Sequence, residues 1–262
     1  MTSLLRTLAR LVPVYYAENL AYRAEIILWA LSTILPFILM GVWVQAGATG
    51  SFGLGPLDFA RYFFAVFVVR QLTVVWVIWL FEEEVVSGGL SFRLLQPVDP
   101  AWHHYMRHLA ERMARFPILL ALGGLFFLLY PEAAWLPSPS TLALFLILSL
   151  TAFSLRFIIQ HTFGLLAFWT ERASSIQHLW WLLYLFLSGL IAPLEVYPEA
   201  IRAAALYTPF PYLVHFPAQV LVGHEVNLAR GVGIMAIWGM GFYALNRALW
   251  RRGLRRYSGM GA

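Results

Sequence analysis

The sequence predicts an all-α, polytopic membrane protein. Three observations carry that expectation. Of the 262 residues 61% are apolar, only 12% are charged, and the apolar residues gather into six runs close to the length of a bilayer crossing. A soluble domain has about 45–50% apolar and about 25% charged residues. A soluble fold of this size would bury only about 75% of what its unfolded chain exposes, too little to hide so apolar a chain. Low charge and high hydropathy also exclude a disordered chain.

Residues 3–22 read as an amphipathic helix. Leu4, Leu5, Leu8, Leu11, Val12 and Tyr15 recur at helical spacing, and Arg6, Arg10, Glu18 and Asn19 supply polarity. Such a helix would lie in the membrane interface; a helical extension of the first span is the alternative. A crossing needs about 20 apolar residues. Ile26–Val44 is an uncharged run. It is followed by Ala46–Gly47–Ala48 but is longer than the roughly 7–15 residues of a signal-peptide core, so it is expected to span. Tyr62–Phe81 is a second run, broken only by Arg70.

Residues 82–115 are expected to form the one sizeable soluble loop. It opens on Glu82, Glu83 and Glu84, and the pair Gly88–Gly89 bends the chain. A short apolar turn follows (Leu90, Phe92, Leu94, Leu95), and Pro97 and Pro100 stop it. From Trp102 a second helix leads into the third run, Phe116–Tyr130. A small exposed apolar helix beneath a membrane bundle marks a partner site. His104 and His108 share a helical face, but no third ligand completes a shell, and no metal is expected.

Ser140–Thr170, broken only by Arg156, Ala173–Leu194 and Gly231–Trp250 complete the six runs. Between the last two, residues 188–223 are apolar yet interrupted by Pro193, Pro198, Pro209, Pro211 and Pro217. Each piece is too short to cross, which suggests two short helices that dip in from the outer face and return, covered by protein. Orientation follows from arginine. Thirteen lie on the side of the termini and three on the other, so both termini are expected to be cytoplasmic, in a bacterial inner membrane.

The chain has no Cys and no Lys; all 18 basic residues are Arg. This excludes a thiol nucleophile, Schiff-base chemistry and a phosphate-binding loop of the GxxxxGK[ST] kind. The net charge of +5 fits inner-side loops and not nucleic-acid binding. An intramembrane Arg is unfavourable by about 2.5–3.5 kcal/mol on insertion scales, and no Asp or Glu lies mid-span. Arg70 and Arg156 must therefore meet carbonyls, polar side chains, water or an anion. Gln71 and Thr73, and Gln160 and Thr162, are the nearby polar residues. Both arginines are candidates for a pathway that favours an acidic or phosphate-bearing substrate. A lipid-modifying membrane enzyme is an alternative without a motif to support it: there is no H-E-x-x-H, no G-x-S-x-G and no acid pair within a span. A non-transporting assembly subunit is the other alternative.

The pattern Glu84-x-x-x-Gly88-x-Leu90-x-x-x-Leu94-Leu95-x-Pro97 resembles the loop after the second span of ABC-2-type permeases. These are the membrane subunits of ATP-binding-cassette exporters. The late segment ending PFPYLVHFPAQVLVG, and the order of interfacial helix, six spans and outer hairpin, are also similar to that family, above all to its small drug- and viologen-exporter-like members. The resemblance implies a single transmembrane domain over 1–262. It implies a coupling helix that meets a separate ATPase through Glu82, Glu83, Glu84, Gly88, Gly89, Leu90, Leu94, Leu95 and Pro97. It further implies a second permease, the same chain or a relative, and contact with membrane lipids. ATP and Mg would sit on the ATPase, with no cofactor in this chain.

Overall fold

The computed structural model describes residues 2–31, 34–50 and 52–257, and among them there is no strand. The helices follow as α1 (Thr2–Ala21), α2 (Arg23–Leu31), α3 (Leu35–Gly47), α4 (Pro56–Thr73), α5 (Val77–Val86), α6 (Leu90–Leu94) and α7 (Pro100–Leu129). Then come α8 (Pro139–Gly164), α9 (Ile176–Leu187), α10 (Glu199–Ala205), α11 (Phe210–Leu213), α12 (His215–Val222) and α13 (Leu228–Arg256).

The long helices begin where the local chemistry favours a start. A Pro occupies the first turn of α4, α7 and α8, where its missing N–H loses no helical bond. The Asp99 carboxylate caps α7 by accepting from Ala101 N at 2.9 Å. Ser138 Oγ accepts from Thr141 N at 3.1 Å at α8, and Asn227 Oδ1 from Arg230 N at 2.9 Å at α13. Such caps satisfy donors that a helix N-terminus leaves free.

Four helical stretches are long and apolar enough to cross a membrane: Pro56–Val86, Pro100–Leu129, Pro139–Phe168 and Leu228–Arg256. At 1.5 Å per residue, a 30-residue stretch reaches about 45 Å, beyond the roughly 30 Å of a bilayer core. α4 and α8 form the centre, where Phe59, Phe63, Phe145, Ala152 and Tyr184 pack together. α7 and α13 lie outside and turn Leu120, Leu128, Ile237 and Met240 outward, as a lipid-facing helix would.

The first and fifth expected runs differ from single long helices. Ile26–Val44 is shared between α2 and the 13-residue α3; residues 32 and 33 lie outside the described residues. In Ala173–Leu194 the α-helical part is the 12-residue α9, about 18 Å long. The backbone turns at Gly189, whose φ of +83° suits glycine and strains other residues.

The expected soluble loop 82–115 is shorter than its sequence suggests. α5 runs to Val86 and α7 starts at Pro100, so only 87–99 connect them. His103, His104, His108, Glu111 and Arg115 are buried, because α7 packs against α1 on one side and α5 and α8 on the other. α1 is the expected amphipathic helix. Its Leu8 and Tyr15 pack with Val98, Met106 and Ala110, and Glu18 pairs with Arg107. Its apolar face is thereby largely given to protein. At the end of the chain, α13 is held closely at two glycines. A side chain at Gly231 would overlap the Phe216 ring, and one at Gly253 the Phe168 ring.

Candidate functional site

The residues of the expected coupling loop divide into a fixed set and an exposed set. Gly88 turns the chain with φ of +79°, and α6 then folds back under α5. Leu90 is fully buried among Phe81, Val85, Phe168 and Trp250, so its place is in the core and not on the outer face expected for a docking residue. Arg93 ties α6 to its neighbours: its Nε donates to Glu84 Oε1 at 3.3 Å and its Nη1 to Tyr15 Oη at 3.4 Å. Glu84 also meets His104 Nε2 at 3.0 Å. Glu82 accepts from Ser174 Oγ at 2.9 Å and from Ser174 N, which anchors the start of α9. Glu83 and Pro97 are exposed, Gly89 is half-buried, and Leu94 and Leu95 face outward, Leu95 at 84% exposure. The pieces that the sequence grouped together thus serve two purposes. Glu82, Glu84 and Leu90 hold the loop; Leu94, Leu95 and Pro97 present it.

Between α4 and α5 the helix breaks at Val74–Trp76, within the membrane-crossing stretch. A break at that depth must be covered and its polar groups satisfied. Arg112 of α7 does this. It donates to the carbonyls of Leu72 and His108 and to Val74 O at 2.7 Å, and its guanidinium lies 3.4 Å from the Phe153 ring centroid. His108 Nε2 accepts from Trp76 N at 3.2 Å, while its Nδ1 faces His104 O at 2.8 Å. The ring proton therefore sits on Nδ1. Glu111 accepts from Trp76 Nε1 at 2.7 Å and pairs with Arg115. Arg112 carries no sequence signal of this role, since its partners are 38 and 40 residues away. Among the described residues no group of three or more His, Cys, Asp or Glu could hold a metal.

Arg70 and Arg156 are 9% and 4% exposed. Neither forms an ion pair among the described residues. Arg156 Nη1 donates to Tyr184 Oη at 3.1 Å. Thr162 bonds Ile158 O and Asn246 instead, and among the described residues neither Thr73 Oγ1 nor the Gln160 amide has a partner. The polar neighbours Thr73, Gln160 and Thr162 do not satisfy these cations.

Residues 188–223 are built on a polar chain, buried at Tyr62 and His215 and exposed at Glu195, that sequence reading missed. Tyr62 Oη donates to Gly189 O at 2.6 Å and lies 3.1 Å from His215 Nδ1. His215 N donates to Ser188 O at 3.0 Å. Glu195 Oε1 accepts from Gln219 Nε2 at 2.9 Å and sits 3.5 Å from His215 Nε2. Cavities of about 480 and 430 Å³ open beside this chain, sharing Glu195, Leu206, His215 and Arg230. Where the sequence suggests two short helices there are three: α10 follows Pro198, α11 has Pro211 in its first turn, and α12 carries Pro217 and ends at Gly223, whose φ is +91°.

The long apolar helices and the loop geometry agree with a comparison against known families. The family model described as ABC-2 family transporter protein matches residues 57–261. The chain belongs to the ABC-2 transporter family. The match takes in the whole connection 87–99, Arg70, Arg156 and residues 188–223 of this ABC-2 protein, and leaves α1, α2 and α3 outside. The protein is accordingly a multi-pass membrane component of a transporter. No curated protein matches the chain.

Proposed function

We propose that this ABC-2 family protein is the permease subunit of an ATP-binding-cassette exporter, of the small drug- and viologen-exporter-like kind. In this reading α2 with α3, and α9 with the outer segment, complete six crossings. The outer segment dips into the bilayer and shapes the exit, and both termini face the cytoplasm of a bacterium. Two permeases, alike or related, form the pathway between them within membrane lipid. A separate ATPase, which carries ATP and Mg, docks on the loop. The chain itself needs no catalytic residue. Closure of the ATPases pushes the loop and rocks the bundle between two states. Arg70 and Arg156 face the pathway.

The observation that supports this best is the exposed pair Leu94–Leu95 on a helix braced by Glu84–Arg93. An apolar pair held rigidly outward is costly to leave in water and is matched by an apolar groove on a partner. Co-expression with a cognate ATPase tests it. The wild-type chain retains the ATPase through purification, and Leu95→Asp loses it while staying monodisperse. Because the chain lacks Cys, Gln96→Cys also reports sidedness. Labelling of that thiol by an impermeant reagent from the outer face overturns the orientation and the docking site together.

A further inference from the structure

We infer that Arg70 and Arg156 together form one site for an oxyanion, a phosphate or carboxylate group carried by an amphiphilic ligand. That the ligand is cargo rests on the permease reading; that the site binds it does not.

The two arginines come from the central helices α4 and α8 and converge on one pair of rings. Trp181 and Tyr184, one turn apart on α9, stack at 5.5 Å. The Arg70 guanidinium lies 5.8 Å from the Trp181 centroid, and that of Arg156 lies 4.6 Å from the Tyr184 centroid. Two like charges are thus brought to neighbouring rings of one stacked pair. Desolvated like charges without a counter-ion are unfavourable, and ring faces offset only part of that.

Arg112 shows what a self-sufficient guanidinium looks like in the same bundle: three carbonyls and a ring occupy it. Among the described residues Arg70 and Arg156 have a ring each but no carbonyl. Among the described residues Arg70 Nη1, Arg156 Nε and, one turn beyond Arg156, Gln160 Nε2 are buried donors without an acceptor, and Gln160 Oε1 is unpaired too. Glu111, the buried acid of α7, is already taken by Arg115 and Trp76. Two guanidiniums meet at the site, and among the described residues no carboxylate pairs with either. Its complement is a group with acceptors only, and a guanidinium fork matches carboxylate and phosphate oxygens in pairs. Trp181 is 37% exposed, and Leu182 and Phe186 beside it are also exposed. They give an apolar tail a wall to lie on while its head enters the site.

The full-length chain in dodecyl maltoside micelles, which contain no phosphate, provides the test. Dodecyl phosphate is titrated while the unfolding midpoint is followed, with dodecyltrimethylammonium as the cationic control. Dodecyl phosphate raises the midpoint and the control does not. Arg70→Gln and Arg156→Gln each bind roughly tenfold or more weakly, the loss expected for one charge-assisted hydrogen bond. Without ligand their midpoints equal or exceed that of wild type, because a buried charge with an unpaired donor is gone; a purely structural arginine would lower it. Arg70→Lys and Arg156→Lys keep the charge and retain part of the binding, so the comparison survives if a Gln variant does not fold.

Micelles doped with phosphatidylglycerol separate two sources of the anion. If a lipid headgroup fills the site, wild type starts at the raised midpoint and dodecyl phosphate adds nothing. If a free amphiphile does, the starting midpoint is unchanged and the response remains. Either result supports the site. No rise in wild type, or an undiminished rise in the Arg70→Gln/Arg156→Gln double variant, overturns it. Binding needs no ATPase, so binding without ATP-driven transport would sink the permease reading alone.

Discussion

Tyr62 and Gly189, 127 residues apart in the chain, are joined by a 2.6 Å hydrogen bond from the phenol to the glycine carbonyl. That bond fastens the start of the outer segment to the central helix α4. Tyr62→Phe leaves a buried carbonyl and one nitrogen of His215 without a partner, and is expected to cost about 1–3 kcal/mol. Gly189→Ala is expected to be worse. It adds a methyl within 2.8 Å of His215 Cβ at a positive φ. Unfolding midpoints in micelles check the order of the two.

Arg112 caps the broken helix, whereas Arg156 has one side-chain partner, so the two arginines respond in opposite directions to the same change. Arg112→Gln frees carbonyls at membrane depth and is expected to cost about 2–5 kcal/mol, the range for removing one member of a buried charged network. Arg156→Gln leaves the unliganded midpoint unchanged or higher. A denaturation series on both variants, prepared alike, decides it.

Much of this was legible in the sequence. Arg70 and Arg156 stand out because a charge inside a long apolar run has no routine explanation. The starts of α7 and α8 are marked by Asp99-Pro100 and Ser138-Pro139, whose signals are local. The extent of the loop was not legible. His104, Glu111 and Arg115 look like solvated residues of an amphipathic helix, yet their partners on α5, α8, α7 itself and at Trp76 in the helix break make that face an interior one. Burial of a polar stripe is set by what packs upon it, and a single sequence does not display that. The Tyr62–His215 pairing was hidden for the same reason, with 153 residues between its members.

Leu90 and Leu95 lie five positions apart in one motif and are expected to behave as different kinds of residue. Leu90→Ala removes a fully buried side chain and should cost about 2–5 kcal/mol. Leu95→Ala, at an exposed site, should change stability by less than about 0.5 kcal/mol and weaken capture of the ATPase. Parallel unfolding and co-purification measurements separate folding from docking.

Asp99 both caps α7 and meets Arg247 Nη1 of α13 at 2.7 Å. The two contributions are separable. Asp99→Asn keeps the cap and loses the ion pair, which is partly exposed and worth about 0.2–1 kcal/mol. Asp99→Ala loses the cap as well, about 1 kcal/mol more. Raised salt should narrow the gap between wild type and Asp99→Asn and leave the gap between the two variants unchanged.

The rings of Phe216 and Phe168 rest in notches at opposite ends of α13, where Gly231 and Gly253 leave no room for a side chain. Sliding that helix by one residue would drive a side chain into a ring at top and bottom at once. It is therefore barred from moving as a piston. A push along its axis is opposed at both seats, and a swivel about them, as a door turns on a pair of hinges, is the motion these contacts leave open.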